Sequence, residues 1–596
     1  MFDIYPPLLY AGAAFGSQLL GDVAAIMKIM TILSFTSLPL ALYRLGRTLG
    51  RSPKGATVVA WLFALTPLNG FFLFNGYLLL IPSLVLMILF LSVFFQYTQS
   101  GDMGKWYAAI AMLVIIALSY HRALYVVLFV LFFHFSVKLY RRQLREAMMT
   151  ALLVVFGLGI SAFWVLPALI NMFTINSPEL YQSLVSVAAW EGVSFHVIAL
   201  LFIVPYWYLV VKRLRMKCLR NDTEVVLVLS LVFFTLLALG PYGPLHYILP
   251  FSSSQRPELS ILFVTFLAIT IATRLFDDRI REGKRTFMGI MLSSLTFLLL
   301  LSCVFISPML AQGFQQMNFN YSRNQVEDSL HNVINHAYVQ QQVFLGTHDH
   351  DFLEVLRYLS GMNQSGRVVF YSDRSQTADM FYYYALLPLS GKPSPQGIAP
   401  DGEGDLKWND FTQPIIWSVN QTLLQLSGTR WIISNHPVAI NGVHRTQLFN
   451  QYWLYELDSV AIIDDCDHSI DYGLDDMHIR LYRDCEQFTL KISYHPRWHA
   501  FDQHGNALEI ERSDYGFMKI NGVDNLNEVI LTYSKTMIDM LSETISVICV
   551  IVLIVFLFFQ KRSASKALRH EVNESTSRAQ SVDRDGDQLV LMINHR

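Results

Sequence analysis

The 596-residue chain is 53% hydrophobic and only 15% charged, with a formal net charge of -2, whereas an ordinary soluble domain carries about 25% charged residues. That composition excludes a soluble globular protein, and a near-neutral balance without a concentrated basic face gives no basis for a nucleic-acid partner. The information lies in where the apolar and charged residues fall along the chain.

Met1-Phe-Asp-Ile-Tyr-Pro-Pro opens the chain without a basic n-region, so it does not read as a signal peptide. Leu8 to Leu20 is interrupted by Gly12, Gly16, Ser17 and Gln18, which makes it too short and too polar to span. It predicts an interfacial or re-entrant helix, or a simple amphipathic lead-in. Ten apolar stretches follow, at 23–43, 56–74, 77–98, 105–120, 122–138, 148–171, 195–211, 223–242, 257–275 and 287–309, and an eleventh stands alone at 538–559. A spanning helix needs about 20 mostly apolar residues, and 105–120 and 122–138 are the short members of the set.

Basic residues then orient the spans. Arg44, Arg47, Arg51 and Lys54 follow the first, Lys138, Arg141, Arg142 and Arg145 the fifth, and Lys212, Arg213, Arg215, Lys217 and Arg220 the seventh. Arg274, Arg279, Arg281, Lys284 and Arg285 follow the ninth, and Lys561, Arg562, Lys566 and Arg569 the last. All lie after odd-numbered spans and so on one side, which the positive-inside rule makes cytoplasmic. Residues 310–537 and the N-terminus are then outside. An external N-terminus with no preceding span predicts an upstream helix missing from this reading frame.

Turn-forming residues punctuate the outer loops. Thr66-Pro67-Leu68-Asn69-Gly70 and Asn75-Gly76 break the run between the second and third spans and predict the edge of an external cavity. Ser119-Tyr120-His121-Arg122 makes a tight turn between the fourth and fifth. In the sixth, Gly157 and Gly159 permit close helix contact and Pro167 predicts a kink at the exit. Gly240 to His246 and Leu249 to Glu258 form a Pro-rich, shaped loop.

From about 310 Gln, Asn, His and Asp become common, and short runs with β-branched and aromatic residues predict strands at Arg367–Tyr371, Arg430–Ser434, Trp453–Leu457, Phe488–Tyr494, Phe517–Ile520 and Glu528–Tyr533. Helices are expected at Asp351–Gly361 and Gln413–Gly428, and a small antiparallel β-module at 486–535. Residues 560–596 are polar and without periodicity, and read as a disordered cytoplasmic tail. The expected fold class is thus a membrane all-α bundle of about ten spanning helices (1–309), an external mixed α/β domain ending in that β-module (310–537) and a C-terminal span (538–559).

Of the chain's five cysteines, only Cys466 and Cys485 fall in the external domain. In an oxidising compartment they can form a disulfide or remain two buried thiols.

Ionisable residues cluster at the outer ends of the spans: His121, Arg122, Glu179, Glu191, His196, His246, Arg256 and Glu258. Charges at membrane depth face a cavity or each other, and Arg holds phosphate in a bidentate fork, so one reading is a site for a lipid-linked phosphate. The plainer reading is that they snorkel into the head-group zone. His121-Arg122 and Arg256-Pro-Glu258 stand out because each sits in a tight turn. The Asp349–Asp351 and Asp464–His468 groups read as solvated loops rather than metal sites, since no paired-histidine helical spacing accompanies them. His134 reads as a packing contact rather than a proton relay. No phosphate-binding glycine loop, dinucleotide fingerprint, zinc finger or nucleophile elbow is present, which argues against ATP hydrolysis.

Several stretches carry a family resemblance: Tyr5-Pro-Pro-Leu-Leu-Tyr, Tyr43-Arg-Leu-Gly-Arg, Ala64-Leu-Thr-Pro67, Leu118-Ser-Tyr-His121, Gly157 to Ala168, Leu249-Pro-Phe with Gln255-Arg-Pro, and Lys491 to Trp498 with Gly516 to Ile520. Over most of residues 1–540 the chain resembles the bacterial polytopic membrane proteins called YfhO-like or 6-pyruvoyl-tetrahydropterin-synthase-related, which look like GT-C membrane glycosyltransferases. The resemblance implies a polyprenyl-phosphate sugar donor, transfer with inversion on the external face of the bacterial inner membrane, a role in cell-surface glycan assembly, and allows a divalent cation. It gives His121, Arg122 and Arg256, with Glu258 beside them, a part in holding the lipid phosphate.

In that family the acidic base lies in a first external loop ahead of the Tyr-Pro-Pro segment, where this chain offers only Asp3. A truncated or inactive copy is therefore an alternative. Another is a non-catalytic component that binds or exports a lipid-linked glycan.

Overall fold

The computed structural model describes residues 7–20, 23–64, 80–175, 221–238, 245, 257–281, 350–362, 366–371, 387–392, 394, 421–457, 463–464, 466, 468–472, 476–495, 497–514 and 516–560. Its membrane part consists of helices α1 (Pro7–Leu20), α2 (Val23–Thr48), α3 (Pro53–Ala64), α4 (Leu80–Ser100), α5 (Met103–Ala117), α6 (His121–Tyr140), α7 (Leu144–Ile160), α8 (Ala162–Ile175), α9 (Asp222–Ala238) and α10 (Pro257–Arg281). Among the described residues four helices are long and apolar enough to cross a membrane: Ile29–Thr48, α4, α6 and the last helix, Met537–Gln560. A fifth span results if the bent pair α7 and α8 counts as one. The expectation of about ten spans is met only to that extent. Some expected spans form shorter helices, such as α5 and α9, and those at 195–211 and 287–309 lie outside the described residues.

The bundle core is almost wholly apolar. Phe90, Phe94, Trp106, Val127, Phe234 and Phe266 are fully or almost fully enclosed, and such faces pack by shape because lipid gives no hydrophobic drive between helices. Gly157 and Gly159 on α7 show how. A Cβ at Gly157 would collide with the Leu113 side chain, and one at Gly159 with the Cys549 sulfur, so the expected close contact is made there.

Pro167 does not produce the bend. The break falls at Ser161, six residues earlier, where α7 and α8 meet at 81°. Ser161 turns its hydroxyl back onto the Gly157 carbonyl at 2.9 Å, a self-bonding that bends helices, while Pro167 sits inside α8.

Polar side chains gather at one end of the bundle. The buried Lys138 ammonium lies 2.5 Å from Glu146, 2.7 Å from Asp222 and 2.9 Å from Gln143, and Arg141 also pairs with Asp222. Arg274 of α10 pairs with Glu224 of α9, while Asp277 accepts from the Ser52 amide and hydroxyl at the start of α3. These contacts draw together the C-terminal ends of α6 and α10 and the N-terminal ends of α3, α7 and α9. Antiparallel order follows, and it puts the N-termini of α6 and α10 at the opposite end.

Beyond the bundle, α11 (His350–Ser360) and α12 (Gln421–Leu426) cover the two faces of a four-stranded sheet of order β1-β2-β4-β3, formed by β1 (Arg367–Tyr371), β2 (Thr429–Ser434), β3 (Val443–Phe449) and β4 (Tyr452–Leu457). Strands β1 and β2 run parallel and the other pairs antiparallel. The side-chain period of two sends Val368, Phe370, Trp431 and Ile433 onto Phe352 and Leu356 of α11. Val369 and Ile432 face Leu423 and Leu424 of α12 instead.

An eight-stranded antiparallel sheet follows, of order β5-β8-β11-β10-β9-β12-β7-β6, with β5 (Ile463–Asp464), β6 (His468–Tyr472), β7 (Asp476–Leu481), β8 (Gln487–Ser493), β9 (Trp498–Asp502), β10 (Ala507–Arg512), β11 (Phe517–Asn521) and β12 (Glu528–Tyr533). It begins at Ile463 rather than at the expected 486. Of the added strands, β5 is only two residues long and leaves no pattern in the sequence, whereas β7 alternates polar and apolar residues. Strand β10 gives Ala507 and Leu508 to β9 and Glu509 to Arg512 to β11, so the sheet turns there and both halves share one core, with Phe488, Leu490 and Ile520 against Ile479, Val529 and Leu531. Phe517 and the Lys491 ammonium, which donates to the Gln425 carbonyl at 3.2 Å, tie this module to the four-stranded sheet.

The last helix, α13 (Met537–Gln560), exposes most of its length as bare apolar surface. The buried Asp539, Ser542 and Ser546 and the half-buried Cys549, Leu553, Phe556 and Gln560 that follow them are spaced alternately by three and four as in a coiled-coil seam. Phe556 meets Trp106, Gln560 accepts from the Tyr107 hydroxyl at 2.6 Å, and the Phe163 amide donates to Ser546 Oγ at 2.9 Å.

A disulfide joins Cys466 to Cys485 across the β6–β7 hairpin. Closing a loop of this size stabilises a fold by about 3 kcal/mol. Replacing both cysteines by Ser lowers the urea midpoint of the β-module correspondingly, and in the wild-type chain a thiol-reactive polymer labels these two positions only after reduction. Labelling without reductant would contradict the bridge.

Candidate functional site

At the end of the bundle remote from the ion pairs, α5 closes and α6 opens through Leu118-Ser119-Tyr120. The turn is built locally: the amides of Leu118, Ser119 and Tyr120 all return to α5 carbonyls, and Ser119 Oγ donates to the Ile115 carbonyl at 2.6 Å. Helix α1 closes over it, with the Leu8 amide donating to the Leu118 carbonyl at 2.8 Å. The start of α1 thus lies at the turn that precedes His121.

Tyr120 is the N-cap of α6 and its side chain makes no capping bond. The first turn of a helix exposes amides and the positive end of its dipole, and here it also carries His121 and Arg122. Arg122 Nε donates to His121 Nε2 at 3.4 Å. Because a guanidinium has donors only, this contact makes Nε2 the acceptor and leaves the imidazole proton on Nδ1. Nδ1 of His121 and Nη1 of Arg122 are both buried, and neither has a partner among the described residues. Two shielded donors at an uncapped helix start need an acceptor, and an anion supplies one.

The remaining sequence-derived residues are placed as follows. Glu258 is the second residue of α10, and its side chain lies outside what is described. Its level can still be fixed. Phe129 of α6, Phe234 of α9 and Phe263 of α10 form a continuous ring contact. Phe129 is eight residues from the start of α6 and Phe263 six from that of α10, about 12 and 9 Å of helical rise. The two helix starts therefore stand at nearly the same level. Asp3, Arg256, Glu179, Glu191, His196 and His246 lie outside the described residues. His134 accepts or donates at Thr150 Oγ1 at 3.1 Å and packs edge-on against Phe94, which is the packing role expected. No group of three or more metal-ligating side chains occurs among the described residues, which leaves a cation neither supported nor opposed.

Sequence reading missed two features. One is the set of acidic partners, Glu146, Asp222 and Glu224, for the basic clusters, which the sequence signals by placing each within a few residues of a basic run. The other is the donor chemistry at α6, which depends on a side-chain contact between adjacent residues.

A family model described as the 6-pyruvoyl-tetrahydropterin synthase related domain, of membrane proteins, matches residues 2–184. The chain is a membrane protein. The matched interval holds α1 to α8 and with them the His121–Arg122 turn, while Glu258 and both sheets lie beyond it. No curated protein matches the chain.

The tautomer is directly testable. In protein labelled with ¹⁵N-histidine, His121 is expected to show the Nδ1–H form in solid-state NMR, and Arg122→Ala to release that preference. An Nε2–H signal in the wild type would refute the donor arrangement.

Proposed function

We propose that the chain is a membrane glycosyltransferase-like protein of the GT-C type that engages a polyprenyl-phosphate-linked sugar at the outer end of the bundle, in cell-surface glycan assembly. In this reading it lies in a bacterial inner membrane with residues 310–537 outside and the C-terminus in the cytoplasm. The observation that carries it is the pair of buried donors on His121 and Arg122 at the start of α6, which have no partner among the described residues. A phosphate ester matches them: it is anionic, it accepts several hydrogen bonds, and a polyprenyl tail would hold it at this depth of the membrane. During transfer the same donors would stabilise charge growing on the departing lipid phosphate, and Arg256 is the further cation we assign to it.

A second reading, a non-catalytic component that binds or exports a lipid-linked glycan, draws on a specific observation. Among the described residues no carboxylate forms an ion pair with Arg122, and a general base must lie within hydrogen-bond reach of the reacting group.

In membranes supplied with a polyprenyl-phosphate sugar, His121→Ala and Arg256→Ala are expected to lower transfer by about 100-fold or more with expression intact. Normal transfer by both variants excludes the assignment. Donor binding by the wild type without any transfer favours the second reading.

A further inference from the structure

In the half of its seam nearest the β-module, the polar contacts of α13 join two parts of the protein that are far apart in sequence. At its outer end, Arg497 of the β-module donates through Nη2 to Asp539 Oδ1 at 2.6 Å, with both residues buried. The other Asp539 oxygen accepts from the Thr536 amide and hydroxyl, each at 2.7 Å. Thr536 and Asp539 thus form a reciprocal cap of the capping-box kind, and Arg497 is locked into it. The Ser534 amide returns to the Arg497 carbonyl at 3.0 Å, and the guanidinium lies over the Tyr533 ring. A buried ion pair of this kind tolerates little movement, because separating it strands a charge in an apolar setting.

Two turns further along, Ser546 Oγ donates to the Ser542 carbonyl at 3.0 Å and accepts from the Phe163 amide at 2.9 Å. In an unbroken helix that amide would bond to the Gly159 carbonyl. The break at Ser161 takes the bond away, and Ser546 replaces it. Cys549, one step on, fills the space that Gly159 leaves open. The helix therefore supplies the missing partner at the α7–α8 break and the matching surface beside it.

We infer that α13 is a coupling rod: Arg497–Asp539 fastens the β-module to its outer end, and Ser546 holds the 81° bend between α7 and α8, so that the two are positioned together. A load on the β-module is thereby passed along α13 to the α7–α8 break and to the start of α8. The coupling does not depend on the sugar chemistry proposed above.

Hydrogen–deuterium exchange on the full chain in nanodiscs tests it, read on peptides spanning Phe163, residues 534–541 and α4. Ser546→Ala removes the acceptor, and exchange at Phe163 is expected to rise about tenfold, while Ser546→Thr keeps it near the wild-type value. Arg497→Ala is expected to raise exchange both at 534–541 and at Phe163. Arg497→Lys, which keeps a cation for Asp539 and leaves its cap of Thr536 intact, is expected to hold both near the wild-type values.

Unchanged exchange at Phe163 in Ser546→Ala overturns the role of Ser546. A rise confined to 534–541 in Arg497→Ala, with Phe163 unaffected, overturns the coupling. A rise in Ser546→Ala that is equal in α4 also overturns it, because α13 would then be a general stabiliser and not the holder of this bend.

Discussion

Hydrocarbon offers no hydrogen bonds, so a polar group carried into the bundle must find its partner inside the protein. Three places in this chain show that constraint with different outcomes. At the ion-paired end, Lys138 is enclosed by Glu146, Asp222 and Gln143, and the ends of α6, α7 and α9 are held by their charges. At the α7–α8 break, an amide released by the bend is taken up by Ser546 on a helix nearly four hundred residues later. At the start of α6, His121 and Arg122 keep one buried donor each with no acceptor among the described residues. The first two are satisfied and therefore structural. The third is what leads us to a ligand.

These places depend on one another. The ion pairs fix which helices run antiparallel, and the Phe129–Phe234–Phe263 contact carries that order up the bundle, so that the starts of α6 and α10 share a level. Helix α1 pins the turn from the other side through Leu8. That end of the bundle is thus assembled from segments separated by more than a hundred residues, and the packing that aligns it lies further along the helices. The β-rich domain is joined to this body through α13, whose apolar remainder is suited to lipid contact.

Much of the fold was legible in the residues. Long apolar runs marked α4, α6 and α13, and alternation placed the strands at Arg367, Thr429, Tyr452, Phe517 and Glu528 to within one residue. The small residues of α7 announced a close contact correctly. What sequence could not show follows from tertiary partners. The 81° bend lies at Ser161, ahead of Pro167; the serine's own bond to Gly157 is local, but the distant Ser546 that receives the freed Phe163 amide is not legible in the neighbouring residues. The β-module starts earlier than the expected 486 because β5 is only two residues long and leaves no pattern, while β7, Asp476-Met-His-Ile-Arg-Leu481, carries a regular alternation that marks it as a strand with one solvated face. The seam of α13 was hidden because an apolar run reveals a span but not which face is covered. Of the candidate site, position alone singled out His121 and Arg122; their direction of hydrogen bonding had to come from geometry.

The claim that most needs testing is that the outer donors take a lipid-linked phosphate. Native mass spectrometry of the full chain offered polyprenyl phosphate measures this directly, with the matching polyprenol as a neutral competitor. The account predicts that wild-type protein retains the phosphate, that polyprenol does not displace it, and that the His121→Ala/Arg122→Ala chain loses it while keeping its fold. Equal retention by the double variant, or displacement by polyprenol, would contradict it.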